Sequence, residues 1–183
     1  PPALPGVLVN GDVPVITNVT PAANGVYMLG EDVDFSVTFS EAIDVTGTPR
    51  LLLDVDGTTV YANYQSGTGT DTLLFRYVVQ PNEEDEDGID LTPLIDLNGG
   101  SLQDATFNNA GLTFDYVPTG GIIIDGSVPD ITGIAIIDNV YTTGQSMNFT
   151  VTFDKDVTVT GAPELNFLIG ATPKQAVYLS GSG

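Results

Sequence analysis

The sequence predicts an all-β chain folded as an antiparallel β-sandwich, and three observations carry that expectation. Apolar and polar residues alternate with a period of two in run after run. Turn-forming residues separate these runs at short intervals, and no convincing helical pattern lies between them. The clearest run is Val33-Asp34-Phe35-Ser36-Val37-Thr38-Phe39. On a strand it puts Val33, Phe35, Val37 and Phe39 on an inner face and Asp34, Ser36 and Thr38 on an outer one. Further strands are predicted at 50–55, 58–64, 72–79, 112–116 and 121–124. The turns between them are Asn24-Gly25, Thr46-Gly47-Thr48-Pro49, Asp56-Gly57, Ser66-Gly67-Thr68-Gly69 and Asn98-Gly99-Gly100. Asp56-Gly57 predicts a two-residue hairpin, because both residues accept the positive φ that such a turn requires. The acidic run at 83–87 is too short for a helix and is bracketed by Pro81, Asn82 and Gly88.

Composition narrows the function. Four Lys+Arg face 24 Asp+Glu in 183 residues, a formal charge of −20, and His, Cys and Trp are absent. A hydrophobic fraction of 42% suffices for packed cores, so the charge does not imply disorder. It does disfavour nucleic acid and anionic membranes as partners. Without His or Cys there is no Ser-His-Asp or Cys-His nucleophile, and no zinc, haem or iron–sulfur site built on those ligands. Oxygen ligation remains, and it suits calcium. A disulfide scaffold is excluded, and no apolar stretch approaches the roughly 18–20 residues of a membrane span. Pro1-Pro2-Ala3-Leu4-Pro5 has neither the cationic start nor the apolar core of a signal peptide, so targeting is expected elsewhere in a longer chain or already removed.

An internal repeat sets the organisation. Met147-Asn148-Phe149-Thr150-Val151-Thr152-Phe153 repeats the pattern of residues 33–39 with Phe149 lying 114 residues after Phe35. In the same register Tyr141 answers Tyr27, Gly144 answers Gly30, Thr160-Gly161-Ala162-Pro163 answers Thr46-Gly47-Thr48-Pro49, and Tyr178 answers Tyr64. Near the start, Val7-Leu8-Val9-Asn10-Gly11 is answered by Ile122-Ile123-Ile124-Asp125-Gly126 at 115 residues. Residues 1–12 are therefore expected to close a preceding repeat, 13–127 to form a complete one, and 128–183 to begin a third. The whole is expected to be a window on a longer array.

Val37-Thr38-Phe39-Ser40-Glu41-Ala42-Ile43-Asp44-Val45-Thr46-Gly47-Thr48-Pro49 and Tyr61-Ala62-Asn63-Tyr64-Gln65-Ser66-Gly67-Thr68-Gly69, with Asp87-Gly88-Ile89 and Leu97-Asn98-Gly99-Gly100, carry a family resemblance. The chain resembles the Ig-like (cadherin-like) tandem repeats of giant bacterial cell-surface and biofilm adhesins of the repeats-in-toxin type. The resemblance covers one whole repeat and both partial ones. It implies a Greek-key Ig-like sandwich, an extracellular location on a bacterial surface, tandem neighbours as partners, and calcium as a stiffening ion. It also implies Asp-x-x-Gly-Asn after Asn98-Gly99-Gly100, whereas this chain has Asp104-Ala105-Thr106-Phe107-Asn108, with Phe107 in the glycine position. Asp104 and Asn108 are ligand candidates on that resemblance.

Glu83-Glu84-Asp85-Glu86-Asp87-Gly88 is the densest constellation. Carboxylates at Glu83, Asp85 and Asp87 before Gly88 match the first half of a calcium loop. The second half fails, since Leu94 stands where a bidentate Glu belongs, so the expectation is a generic calcium loop or, alternatively, a solvated acidic turn. At the junction, Asp125 in Asp125-Gly126-Ser127-Val128-Pro129 is a further calcium candidate, with an ordinary turn before Pro as the alternative. Counting does not rule out carboxylate pairs for sugar cleavage, since Asp and Glu abound, but such clefts generally need stacking aromatics and Trp is absent. Tyr27, Tyr61, Tyr64 and Tyr77 read as core or corner residues rather than as a sugar platform, and Lys155 and Lys174 have no Ser partner in a recognisable motif. No catalytic site is expected.

The functional expectation is a rigid spacer in an extracellular adhesin. Two alternatives stand beside it. One is a filament subunit that donates its N-terminal strand at 6–10 to a neighbour's sandwich. The other is a module that binds glycan or peptide through loops at the sandwich tip.

Overall fold

The computed structural model describes residues 11–182, and its contacts divide the chain into two compact units with the boundary between Ser127 and Val128. The N-terminal strand expected at 6–10 lies outside the described residues. No helix forms among the described residues.

The first unit has ten strands: β1 (Ile16–Thr20), β2 (Gly25–Met28), β3 (Asp32–Thr46), β4 (Arg50–Val55), β5 (Thr58–Ser66), β6 (Thr70–Val78), β7 (Glu84–Asp85), β8 (Asp90–Asp96), β9 (Ser101–Gln103) and β10 (Ile122–Asp125). The main sheet runs β1-β3-β6-β5-β4-β8, with β9 on the far end of β3, and a smaller sheet runs β2-β10-β7. The alternation predicted for β3 is observed: Val33, Phe35 and Val37 are 0% exposed, and Phe39 is 2% exposed. Leu51, Leu53 and Val55 of β4 and Leu73, Phe75 and Tyr77 of β6 join them, as do Ile122 and Ile124 from the smaller sheet. One core is thus faced by two sheets, an arrangement consistent with a β-sandwich. Asp56 (φ 45°) and Gly57 (φ 79°) both occupy the left-handed region, so the β4–β5 turn has the predicted hairpin chemistry.

Three expectations are corrected. Pairing is not wholly antiparallel, because β10 runs parallel to β2 from Ile122↔Gly25 to Asp125↔Met28. Residues 112–116 do not form a strand. Their pattern alternates, but the segment makes only the isolated bridge Leu94↔Thr113 and the bonds Ile95 N to Leu112 O and Phe114 N to Pro93 O. The acidic run is not wholly loop, since Glu84 and Asp85 pair with Asp125 and Ile124.

The second unit contains two antiparallel pairs, β11 (Ile131–Ile136) with β12 (Phe149–Phe153) and β13 (Glu164–Ile169) with β14 (Thr172–Val177). Their registers repeat the first unit's. Leu51↔Ala62 in β4–β5 is answered by Leu165↔Ala176, and the shift between Ile16 and Asn18 in β1–β3 is answered by one between Ile131 and Gly133. Side-chain bonds recur too. Tyr27 donates its hydroxyl to Ala23 O and Tyr141 to Ile137 O, each at 2.8 Å. Val45 N donates to Thr68 Oγ1, and Val159 N to Ser182 Oγ. Met28 N donates to Glu31 Oε2, and Thr142 N to Gln145 Oε1.

Candidate functional site

Two features of the first unit combine chemistry with position, the acidic run and the segments that lead the chain in and out. The acidic run follows β6 through a turn in which Asn82 has φ 64°. Glu83 folds back onto that turn, where its Oε2 accepts from Gln80 N at 2.8 Å and from the Tyr77 hydroxyl. Burial, and then this carboxylate, push the Tyr77 phenol well above the ordinary tyrosine range. Asp85 points the other way and is 5% exposed. Its Oδ2 accepts from Asp56 N at 2.9 Å and its Oδ1 from Gly88 N at 2.7 Å, so one carboxylate pins the β4–β5 turn to the loop before Ile89. Gly88 is required there: its φ is 96°, and a Cβ would lie 2.4 Å from the Gly120 carbonyl. Asp87 is exposed.

Glu83, Asp85 and Asp87, neighbours in sequence, are therefore directed to three different places. Both oxygens of Asp85 accept from backbone N–H groups of the β4–β5 turn and of Gly88, so this carboxylate is held by the chain itself. Among the described residues no group of three or more carboxylates is disposed to hold a metal ion. As placed, these residues do not fit the ligand set of a calcium loop.

Asp104 and Asn108 do come together, with each other. Asp104 is 3% exposed and accepts from Thr106 N, Thr106 Oγ1, Asn108 N and Asn108 Nδ2 at 2.8–2.9 Å. Burial pushes its pKa up, but the bonds from Asn108 and Thr106 more than offset that, so the carboxyl sits below its ordinary range. Phe107, in the position where the resemblance implies glycine, adopts φ 67° and is 80% exposed. The loop thus keeps a glycine-like conformation without a glycine. Asp125 accepts from Ser127 N at 3.2 Å and from the Ser127 hydroxyl, closing a local turn at the end of β10.

What these loops do hold is the chain's own lead-in and exit. At the lead-in, Asn108 Nδ2 donates to Asp12 O at 3.2 Å, Gly111 N to Pro14 O at 2.8 Å and Ser40 N to Val15 O at 2.8 Å. At the exit, Gly126 N donates to Glu83 O at 2.7 Å and Asn82 N to Gly126 O at 2.8 Å. Gly126 is buried there, and a Cβ on it would lie 2.2 Å from Gln80 O, so no other residue allows the same approach. The sequence marked Asp125-Gly126 as a junction, but only the Gly126 contacts reveal it as docked onto the acidic turn. No protein-family model, curated protein or solved structure matches the chain.

Proposed function

We propose that the chain is a stretch of tandem Ig-like Greek-key repeats from an extracellular bacterial surface adhesin, and that it acts as a stiff spacer. The observation that supports this reading is the recurrence, about 114 residues apart, of strand registers and of the side-chain bonds made by Tyr27 and Tyr141, Thr68 and Ser182, and Glu31 and Gln145. Registers alone could coincide in any two hairpins. Specific side-chain bonds at one offset follow from one repeated design.

The work of such a module is mechanical. Each repeat buries its own core, and the segments between repeats are held by backbone bonds rather than left as flexible chain. Here Asp12, Pro14 and Val15 on one side and Gly126 on the other are bonded to the first unit, so the chain is held where it enters that unit and up to Gly126 where it leaves. A charge of −20 keeps a long polymer of such units soluble and self-repelling. The reading assigns no catalytic step.

Antibodies raised against the chain should label unpermeabilised source cells, and external protease should remove that labelling. Labelling that requires permeabilisation would overturn the surface assignment. Melting the chain with calcium and with a chelator separates two sources of stiffness. A chelator-lowered Tm assigns part of it to an ion, and superimposed curves assign it to the docked linkers.

A further inference from the structure

The outer face of the main sheet carries a single row of polar side chains across five strands. Cross-strand pairing places Asp34 (β3) opposite Arg76 (β6), Arg76 opposite Asn63 (β5), Asn63 opposite Arg50 (β4), and Arg50 opposite Asp96 (β8). Both arginines of the chain lie in this one row. Each is fixed. Arg76 forms a two-bond fork with Asp34, Nε to Oδ1 and Nη2 to Oδ2 at 2.7 Å each, and a further contact to Asp32. Arg50 Nε donates to Asp96 Oδ2 at 2.8 Å, and its guanidinium lies 3.7 Å from the centre of the Tyr61 ring.

If the fold required this row, the second unit would repeat it as it repeats the core pattern. It does not. In the same register Asn148 stands for Asp34, Val177 for Asn63 and Glu164 for Arg50, while Phe149, Val151 and Phe153 keep the inner face. At these three shared positions the row is not repeated, and in the first unit it borders a shallow concavity of about 450 Å³ lined by Tyr61, Asn63, Gln65, Arg76, Gln80 and Glu83.

We propose that this row is a binding site for a neutral, unbranched oligosaccharide lying across the strands. Two arginines set among Asp32, Asp34 and Asp96, with Glu83 lining the same concavity, leave the row mildly acidic, so it selects against polyanions, and its charges are largely paired with one another. The guanidiniums, carboxylates and Asn63 amide alternate donors and acceptors in fixed directions, which matches hydroxyl groups that both give and accept. Strands lie about 4.8 Å apart, close to the spacing of successive pyranose rings, so one ring can meet one strand. Tyr61, expected to be a core or corner residue, is instead 36% exposed beside the row; Arg50 covers one face of its ring, and the rest of the ring supplies an apolar surface for the C–H face of a sugar. The site does not rest on the spacer reading, and its failure would leave that reading intact.

The test is titration of the isotope-labelled 183-residue chain with cellotetraose, mannotetraose and chitotetraose, followed by amide and side-chain resonances. At least one should shift Asn63, Tyr61 and Arg76 together. Asn63→Ala and Tyr61→Ala should each weaken that binding by about tenfold or more, roughly the worth of one good polar or stacking contact, with the core amide resonances of both variants still those of the folded chain. No shift with any of the three at millimolar concentration overturns the proposal. So do shifts confined to the tip loops, and so does an unchanged affinity in the Asn63→Ala variant.

Discussion

In the first unit the β4–β5 hairpin buries Leu51, Leu53 and Val55 to 3% exposure or less. In the second, the β13–β14 hairpin pairs residue for residue in the same register, yet leaves Ile169 at 52%. Phe35 is wholly buried while Phe149 is half-buried, and no residue of 128–182 is fully buried. The difference lies in what joins and covers the hairpins. In the first unit β6 bonds to both β3 and β5 and so joins two hairpins into one sheet, and Leu91, Leu102, Ile122 and Ile124 from β8, β9 and β10 close the core around them. The second unit's two pairs share no such bridge among the described residues. Register is therefore a local property, set by turn chemistry and alternation, whereas burial is cooperative and needs both the joining strand and the elements that close the core.

The largest effect that could break this comparison comes from the paired phenylalanines. Phe35→Ala should destabilise the first unit by about 3–5 kcal/mol, the usual cost of emptying a packed aromatic site. Phe149, whose ring touches Phe167 at 4.8 Å but is partly in water, should cost less than half as much when replaced by Ala. Hydrogen exchange resolved by unit measures both. Equal losses would mean that the second unit has a core of its own.

The same contrast explains what could be read in advance. β4 was legible to its last residue because Pro49 and Asp56-Gly57 bracket a strict alternation. β8 (Asp90–Asp96) was not among the predicted strands; it carries Pro93, which it tolerates as the edge of the sheet, with an irregular register opposite Leu51 and Leu53. Residues 112–116 show the reverse error, an alternating pattern without a partner strand. At the candidate sites, sequence found the acidic run and the junction. It could not find that Asp85 turns inward to Asp56 N and Gly88 N, nor that Asp34, Arg76, Asn63, Arg50 and Asp96 fall in one row. Both depend on pairings between residues far apart in the chain.

A smaller effect sharpens the comparison at the two hairpin turns. Asp56 and Gly57 both have positive φ, whereas in β13–β14 only Gly170 does (φ 62°) and Ala171 does not. One register is thus closed by two turn types, with left-handed residues at both central positions in the first and at one in the second. Gly57→Ala should cost about 1–2 kcal/mol in the first unit, because an L-residue is forced into the left-handed region. Nothing lies within 4 Å of the added Cβ, so the cost is conformational. Ala171→Gly should cost only about 0.4–1 kcal/mol, through the greater freedom of the unfolded chain. Should Gly57→Ala prove neutral by the same exchange measurement, the two turns would be alike.

The smallest effect is one that only the first unit should show. Tyr77 is 4% exposed and donates its hydroxyl to Glu83, while its counterpart would lie beyond position 183. Removing the bond by Tyr77→Phe should cost about 0.5–1.5 kcal/mol at neutral pH, as for a single hydrogen bond. The pH dependence separates this bond from packing. Burial, and then the Glu83 carboxylate, oppose ionisation of the folded phenol, so its pKa is raised above that of the unfolded chain. A group raised in this way contributes its full stability below the unfolded tyrosine pKa of about 10 and loses it as the pH climbs above that value. The first unit of the natural sequence should therefore weaken above about pH 10. The Tyr77→Phe variant should lose less over the same interval, and the second unit, whose Tyr141 bonds only to the Ile137 carbonyl, should give the same profile in both proteins. Unit-resolved unfolding between neutral pH and the alkaline range tests all three statements. A first unit whose alkaline loss is the same with tyrosine and with phenylalanine would mean that Tyr77 ionises as freely folded as unfolded, and the inward turn of Glu83 would have to be abandoned.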